Sequence, residues 1–170
     1  LAGPVIGFNS QVVLLDVGAG VDLRPSQLLN CGIMGKVFAE KVLDMGSVSV
    51  GILSVGSEDE KGNRQIKEAF SLFADSGLPF IGNVEGIDLF DDRSQVIVCD
   101  GFLGNVIMKY TEGMGVAMQE FIVKELGSIL DGEVMADIQN KIFATTNVVE
   151  SFGGGPFLGV NGITIIGHGR

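Results

Sequence analysis

A lysine stands where a helix dipole makes it unwelcome. The stretch Gly56-Ser57-Glu58-Asp59-Glu60-Lys61-Gly62-Asn63 follows an apolar run and leads into a helical pattern. Glu58, Asp59 and Glu60 suit the positive end of that helix without further purpose, but Lys61 is locally unfavourable there unless it meets an anion. Lys61 is therefore a candidate for meeting a bound anion, which the free N–H groups of the helix start beside it would also favour. A second loop, Asp100-Gly101-Phe102-Leu103-Gly104-Asn105, carries Lys109 one helical turn beyond Asn105. Gly101 and Gly104 let a ligand approach the backbone, and Asn105 and Lys109 can both face it. Equally, Asp100 can end a strand and Asn105 can satisfy a turn. Asn83 and Glu85 close a third apolar run, and Asp16 and Asp22 flank a fourth loop; residues of these types form turns more often than they catalyse. Lysine, amide and loop N–H groups are the equipment for holding an oxyanion and stabilising negative charge as it develops.

Other chemistries fit less well. Gly18-Ala19-Gly20 lacks the third glycine of the dinucleotide fingerprint, since Leu23 occupies that place. Gly56 and Gly62 stand one residue too far apart for a P-loop, and no Lys-Ser/Thr pair follows. The single histidine, His168, supports no Ser-His-Asp or Cys-His arrangement. Cys31, inside a helical pattern, and Cys99, at a strand end, form neither a disulfide framework nor a zinc cluster. They read as small buried thiols, and no metal or cofactor is expected.

Composition narrows the class further. A formal net charge of -10 and 46% hydrophobic content describe an acidic globular chain. That charge opposes nucleic-acid binding, which needs a surface rich in lysine and arginine. No apolar stretch approaches the roughly 18 to 20 residues of a membrane span, and no basic segment with an apolar core opens the chain, so a secretory leader is not expected. The chain begins at Leu1 rather than Met and stops at Arg170 soon after an apolar segment, so both ends look cut, as in a fragment or a processed product. Glycine makes up 26 of 170 residues, against a usual share of about 7%. The glycines cluster at the ends of apolar runs.

Those runs are the elements that must position the loops. Strands are expected near Val12–Asp16, Ser49–Val55, Leu78–Gly82, Val96–Cys99 and Ile163–Ile166. Helices are expected from Pro25, at an N1 position, to a stop at Gly46; from Lys61 to Ala74; from Gly104 to Leu130, bent or interrupted at Gly113 and Gly115; and from Glu133 to Phe143. Strands alternating with helices predict one α/β unit over residues 1–170, a mostly parallel sheet with helices on both faces. In such sheets the loops leaving the strands' carboxyl ends form the ligand crevice.

Taken together, Leu14-Leu15-Asp16-Val17-Gly18-Ala19, Glu58 with Lys61-Gly62-Asn63, Phe80 to Gly86, Asp100 to Val106 and Gly159-Val160-Asn161-Gly162 resemble, in order, blocks of the bacterial phosphate acyltransferase (PlsX) family. The resemblance spans nearly the whole chain and implies the C-terminal half of a typical member. It implies a fold like part of the isocitrate and isopropylmalate dehydrogenases, and a reaction in which acyl-acyl carrier protein and inorganic phosphate give acyl phosphate, in phospholipid synthesis. It also implies a cytoplasmic homodimer with loose, peripheral membrane association. On this basis Lys61 and Asn105 are the catalytic candidates, and Gly62, Asn63, Asn83, Glu85, Asp100, Gly101, Gly104 and Lys109 the phosphate- or substrate-binding ones. Two departures stand out: Gly20 and Ser54 occupy positions where the family usually has Asn. The competing expectation is a noncatalytic domain keeping oligomer, carrier-protein or membrane contacts. A nicotinamide dehydrogenase is disfavoured by the missing fingerprint.

Two surface patterns complete the reading. Met114, Met118, Phe121, Ile122, Leu126, Ile129 and Leu130 offer more apolar surface than one buried stripe needs. Lys61, Arg64 and Lys67 recur every third residue, a basic row that can be a solvated face balanced by Glu60 and Glu68 or a landing strip for an acidic carrier protein.

Overall fold

Short runs of Val, Leu and Ile pleat so that neighbours face opposite ways, and runs apolar at every position bury both faces. The computed structural model describes residues 2–4, 12–91, 93–147 and 153–167. In it β2 (Val13–Leu15), β3 (Val50–Leu53), β4 (Phe80–Val84) and β5 (Val96–Val98) are parallel, and β1 (Ala2–Pro4) lies antiparallel on the edge. The order across the sheet is β1-β2-β5-β3-β4. Val13, Leu15, Val50, Ile52, Val96 and Val98 enter one core, while Val12, Leu14, Leu53, Ile97 and Cys99 enter the other.

The first core is roofed by α1 (Pro25–Lys41) and α2 (Arg64–Ala74). α1 buries Leu28, Cys31 and Ala39, and α2 buries Ile66, Ala69 and Phe73, with the Phe70 and Phe73 ring centroids 5.1 and 5.2 Å from that of Phe80. Pro25 does begin α1, but the helix ends before the expected stop at Gly46. The left-handed residue of the exit turn is Asp44 (φ 54°), whose type tolerates that region. α2 starts at Arg64 rather than Lys61 because Asn63 is its cap: the Ile66 N–H donates to Asn63 Oδ1 at 2.9 Å.

The second core has a thinner cover. It receives Leu89 from a single 3-10 turn (Gly86–Phe90) and Ile107 and Met108 from the start of α3 (Gly101–Leu126). The α3 helix starts earlier than expected because Asp100 caps it, its Oδ1 accepting from Leu103 N–H at 2.8 Å. The interruption expected at Gly113 and Gly115 does not occur; α3 is continuous. A helical glycine costs about 1 kcal/mol relative to alanine, less than a packed helix gains. Gly115 is buried where α3 meets α4 (Gly132–Thr146), and a side chain there would collide with Thr146. The expected last strand is shorter and belongs elsewhere: β6 (Gly155–Pro156) and β7 (Ile165–Ile166) form a separate antiparallel ribbon. β1 was not expected, since its Ala-Gly-Pro sequence carries no strand signal.

Candidate active site at the carboxyl edge of the sheet

Because β2, β5, β3 and β4 are parallel, the loops that leave them emerge on one edge of the sheet. The loop after β2 is organised by Asp16, a buried carboxylate that accepts from the Ala19 and Gly20 N–H groups at 3.1 and 2.6 Å. Gly101 N–H in turn donates to the Gly20 carbonyl at 2.7 Å, fastening the start of α3 to this loop. A Cβ on Gly101 would lie 3.0 Å from Asp16 Oδ2, and one on Gly104 would run into the Asp16 carbonyl and come within 3.0 Å of Cys99 Sγ. The close approach these two glycines permit is therefore to the β2 loop. Gly20 is likewise filled around, by Leu23.

The β3–α2 loop is held from beneath by Asn83. Expected at a strand end, Asn83 lies inside β4, fully buried, and its Nδ2 donates to the carbonyls of Glu58 at 2.7 Å and Lys61 at 3.4 Å. The loop tightens further through Lys61 N–H donating to the Glu58 carbonyl at 3.0 Å, and through Gly62 in the left-handed region (φ 104°). Lys61 itself is exposed, its Cγ 3.0 Å from the position a Cβ would take on Gly56. Glu85 is half-buried and precedes the 3-10 turn, where its N–H donates to Asp88 Oδ2 at 2.7 Å; Arg93 pairs with the same oxygen at 3.0 Å.

Asn105 is exposed in the first turns of α3 beside Gly18, on the β2 side of the β5–α3 junction, and Lys61 belongs to the β3 side. Lys109 is exposed and paired with Glu112 at 2.8 Å. Asn63 and Asp100 cap α2 and α3 and also border one cleft of about 320 Å³ between them. His168 lies outside the described residues.

Sequence reasoning did not anticipate the walls of that cleft. Leu53, Ile66, Leu103 and Ile107 line it, with Ser54 and Cys99. The signal was present in Leu103 and Ile107, four apart at the start of a helix and so on one face. Burial pushes the Cys99 thiol well above its ordinary value, with Asp100 and Asp16 adding to the effect, so at neutral pH it is a thiol rather than a nucleophilic thiolate. Gln65 was also missed; its Nε2 donates to the Leu23 carbonyl and ties α2 to the β2 loop.

An α/β sheet whose capped helices and glycine turns converge on one edge, around an apolar cleft, has the form in which such folds receive small ligands. The chain belongs to the fatty acid synthesis protein family, whose model matches residues 2–170. It is 41% identical over 175 residues to a phosphate acyltransferase of Desulforudis audaxviator, covering 100% of this chain and 52% of that protein. The phosphate acyltransferase of Pelotomaculum thermopropionicum is 41% identical over 172 residues (99% and 50%), and that of Acidobacterium capsulatum 42% over 172 residues (99% and 51%). The chain thus spans about half the length of the curated relatives it matches. Among the described residues, no helix is long and apolar enough to cross a membrane.

Proposed function

We propose that this chain carries the C-terminal half of a phosphate acyltransferase, forming acyl phosphate and free carrier protein from acyl-acyl carrier protein and inorganic phosphate. The observation that carries the reading is the side-by-side placement of the β3–α2 and β5–α3 loops on neighbouring parallel strands, in a chain matched over nearly its full length by proteins named for this reaction. Lys61 neutralises phosphate, and Asn105 orients phosphate or stabilises the oxyanion. Loop N–H groups supply further donors around Gly62 and Asn63. A phosphate oxygen attacks the thioester carbonyl, the tetrahedral oxyanion collapses, and the carrier's sulfur leaves and takes a proton. Positioning and charge stabilisation suffice for this, without metal or cofactor. The protonated state of Cys99 favours direct attack over an acyl-enzyme on that residue.

The second reading, a noncatalytic domain with oligomer, carrier-protein or membrane contacts, draws on the exposed apolar row of Met114, Met118, Phe121, Leu126 and Ile129. Homodimerisation or peripheral attachment in the cytoplasm are the natural uses of such a row. Acyl-phosphate formation by this chain alone, and with the N-terminal half of a relative supplied, separates the readings. In a full-length relative, replacing the lysine corresponding to Lys61 with alanine is expected to lower turnover about 10²-fold, the scale for losing one transition-state donor. Near-normal turnover refutes the role.

A further inference from the structure

Lys61 is exposed, yet its backbone is clamped. Its N–H donates to the Glu58 carbonyl at 3.0 Å, while Asn83 Nδ2 donates to that same carbonyl at 2.7 Å and to the Lys61 carbonyl at 3.4 Å. The peptide units on both sides of the Lys61 Cα are thereby held, which sets the two soft dihedrals of the residue and the direction in which its side chain leaves the backbone. A second contact concerns the stem. A Cβ on Gly56 would lie 3.0 Å from Lys61 Cγ, 3.4 Å from Lys61 Cδ and 2.9 Å from Glu58 Oε2. Gly56 is buried and its backbone is not left-handed, so what glycine supplies there is room for the lysine stem.

The clamp has a cost. Among the described residues, the buried side-chain polar atoms without a hydrogen-bond partner are Asn83 Oδ1 and Ser54 Oγ, and Ser54 Oγ lies 3.0 Å from the position of a Cβ on Gly62, under the same loop. Turning the amide over would set its oxygen against two carbonyl oxygens, so the unpaired Oδ1 follows from aiming the NH2 group at the loop. Buried polar atoms left unpaired lower stability, and two of them beneath one loop call for a reason beyond folding. Resting on the reading that Lys61 meets phosphate during acyl transfer, we propose that Asn83 and Gly56 are positioning residues for that lysine. The amide of Asn83 fixes the direction in which Lys61 leaves the loop, and the missing side chain of Gly56 seats its stem. Asn83, expected as a contact for phosphate or substrate, thus acts at one remove, through the lysine.

The test is a double-mutant cycle on steady-state turnover by a full-length relative with the same three residues at these positions. Changes corresponding to Gly56→Ala and Asn83→Asp are made singly and in a Lys61→Ala background. Asn83→Asp keeps the size of the side chain and removes both N–H donors, and Gly56→Ala meets only the side chains of Glu58 and Lys61. Each single change is expected to lower kcat/KM for phosphate about tenfold, within the ~10²-fold that misplacing a group by about 1 Å costs, while KM for acyl-acyl carrier protein stays as in the parent. With Lys61 already replaced, neither change is expected to lower turnover further. Thermal unfolding of Gly56→Ala is expected at or above the parent's midpoint, so its loss of turnover is a loss of aim. That variant keeps the test decisive where Asn83→Asp does not fold. Losses that multiply with the loss from Lys61→Ala, or phosphate kinetics of Gly56→Ala equal to the parent's, overturn the proposal and leave the acyltransferase reading in place. Turnover by Lys61→Ala equal to the parent's refutes instead the role of the lysine on which the proposal rests.

Discussion

Replacing Gly104 and Gly113 with alanine, one at a time, gives opposite signs on the same helix. Both sit within α3, so each substitution gains the same intrinsic preference, roughly 0.5–1 kcal/mol, from the reduced freedom of the unfolded chain and the better helix former. Nothing lies within 4 Å of a Cβ on Gly113, so there the gain stands alone. At Gly104 the new methyl meets the backbone carbonyl of Asp16, with Asp16 C at 2.9 Å and Cys99 Sγ at 3.0 Å. Overpacking of a filled site costs about 1–3 kcal/mol. The obstacle is a carbonyl in a loop held by the hydrogen bonds of Asp16, not the end of a pliable side chain, so the upper part of that range applies. The net expectation is a loss of about 1–2 kcal/mol for Gly104→Ala and a gain of about 0.5–1 kcal/mol for Gly113→Ala. Urea unfolding followed by far-ultraviolet circular dichroism reads both as midpoint shifts in opposite directions at a common m-value. Shifts of the same sign, or a Gly104→Ala midpoint equal to the parent's, would refute the claim that α3 is seated on the β2 loop by backbone contact.

Two further outcomes follow from charge. Lys61, Arg64 and Lys67 are all exposed, and Arg64, with 92% of its side chain accessible, pairs with Glu68 on its own helix. In a full-length relative, charge reversal corresponding to Arg64→Glu and Lys67→Glu should slow association with an acidic acyl carrier protein, most at low salt, while phosphate affinity holds; stopped-flow rates indifferent to both changes put the docking surface elsewhere. Burial pushes the Cys31 thiol up from 9.0 to about 11, with Asp16 adding to the shift. Below the lower value both folded and unfolded chains keep the proton. As pH rises from about 9 toward 11 the unfolded chain loses it first, so stability falls, by on the order of 1 kcal/mol once solvent near the thiol is allowed for. Urea midpoints across that window should fall less steeply for Cys31→Ala than for the parent, and parallel profiles would contradict the assignment.

The fold was legible where side-chain pattern alone decides it. Uniformly apolar runs ending in glycine marked β2, β3 and β5, because burial on both faces leaves no room for alternation. Pro25 marked the start of α1 through its fixed φ. The errors came where a tertiary neighbour overrides a local rule. Gly115 looks like a helix breaker in sequence but is a contact point for Thr146, and Asn83 looks like a turn residue but is a strut beneath the β3–α2 loop. Asn63 and Asp100 carried a genuine signal that was incompletely read. Their types suit a cap as well as a ligand, and only the geometry reveals the cap. The apolar cleft was invisible because its lining comes from segments far apart in the chain, and no single segment announces it.

The position of β5 has a consequence for how the molecule comes into being. It is inserted between β2 and β3, although the chain lays down β2, β3 and β4 first. The Asp16 N–H donates to the Cys99 carbonyl at 2.9 Å, and Cys99 Sγ donates to the Asp16 carbonyl across a separation of 83 residues. Until β5 is synthesised, β2 has no partner on its inner side and the β2 loop has no helix to rest on. Such long-range pairing favours slow folding, since loop closure precedes its reward. A nascent chain shorter than this strand holds Lys61 but not the floor of the cleft. The floor of the cleft therefore waits on the strand that comes last in sequence among the four parallel ones, although that strand is central in space.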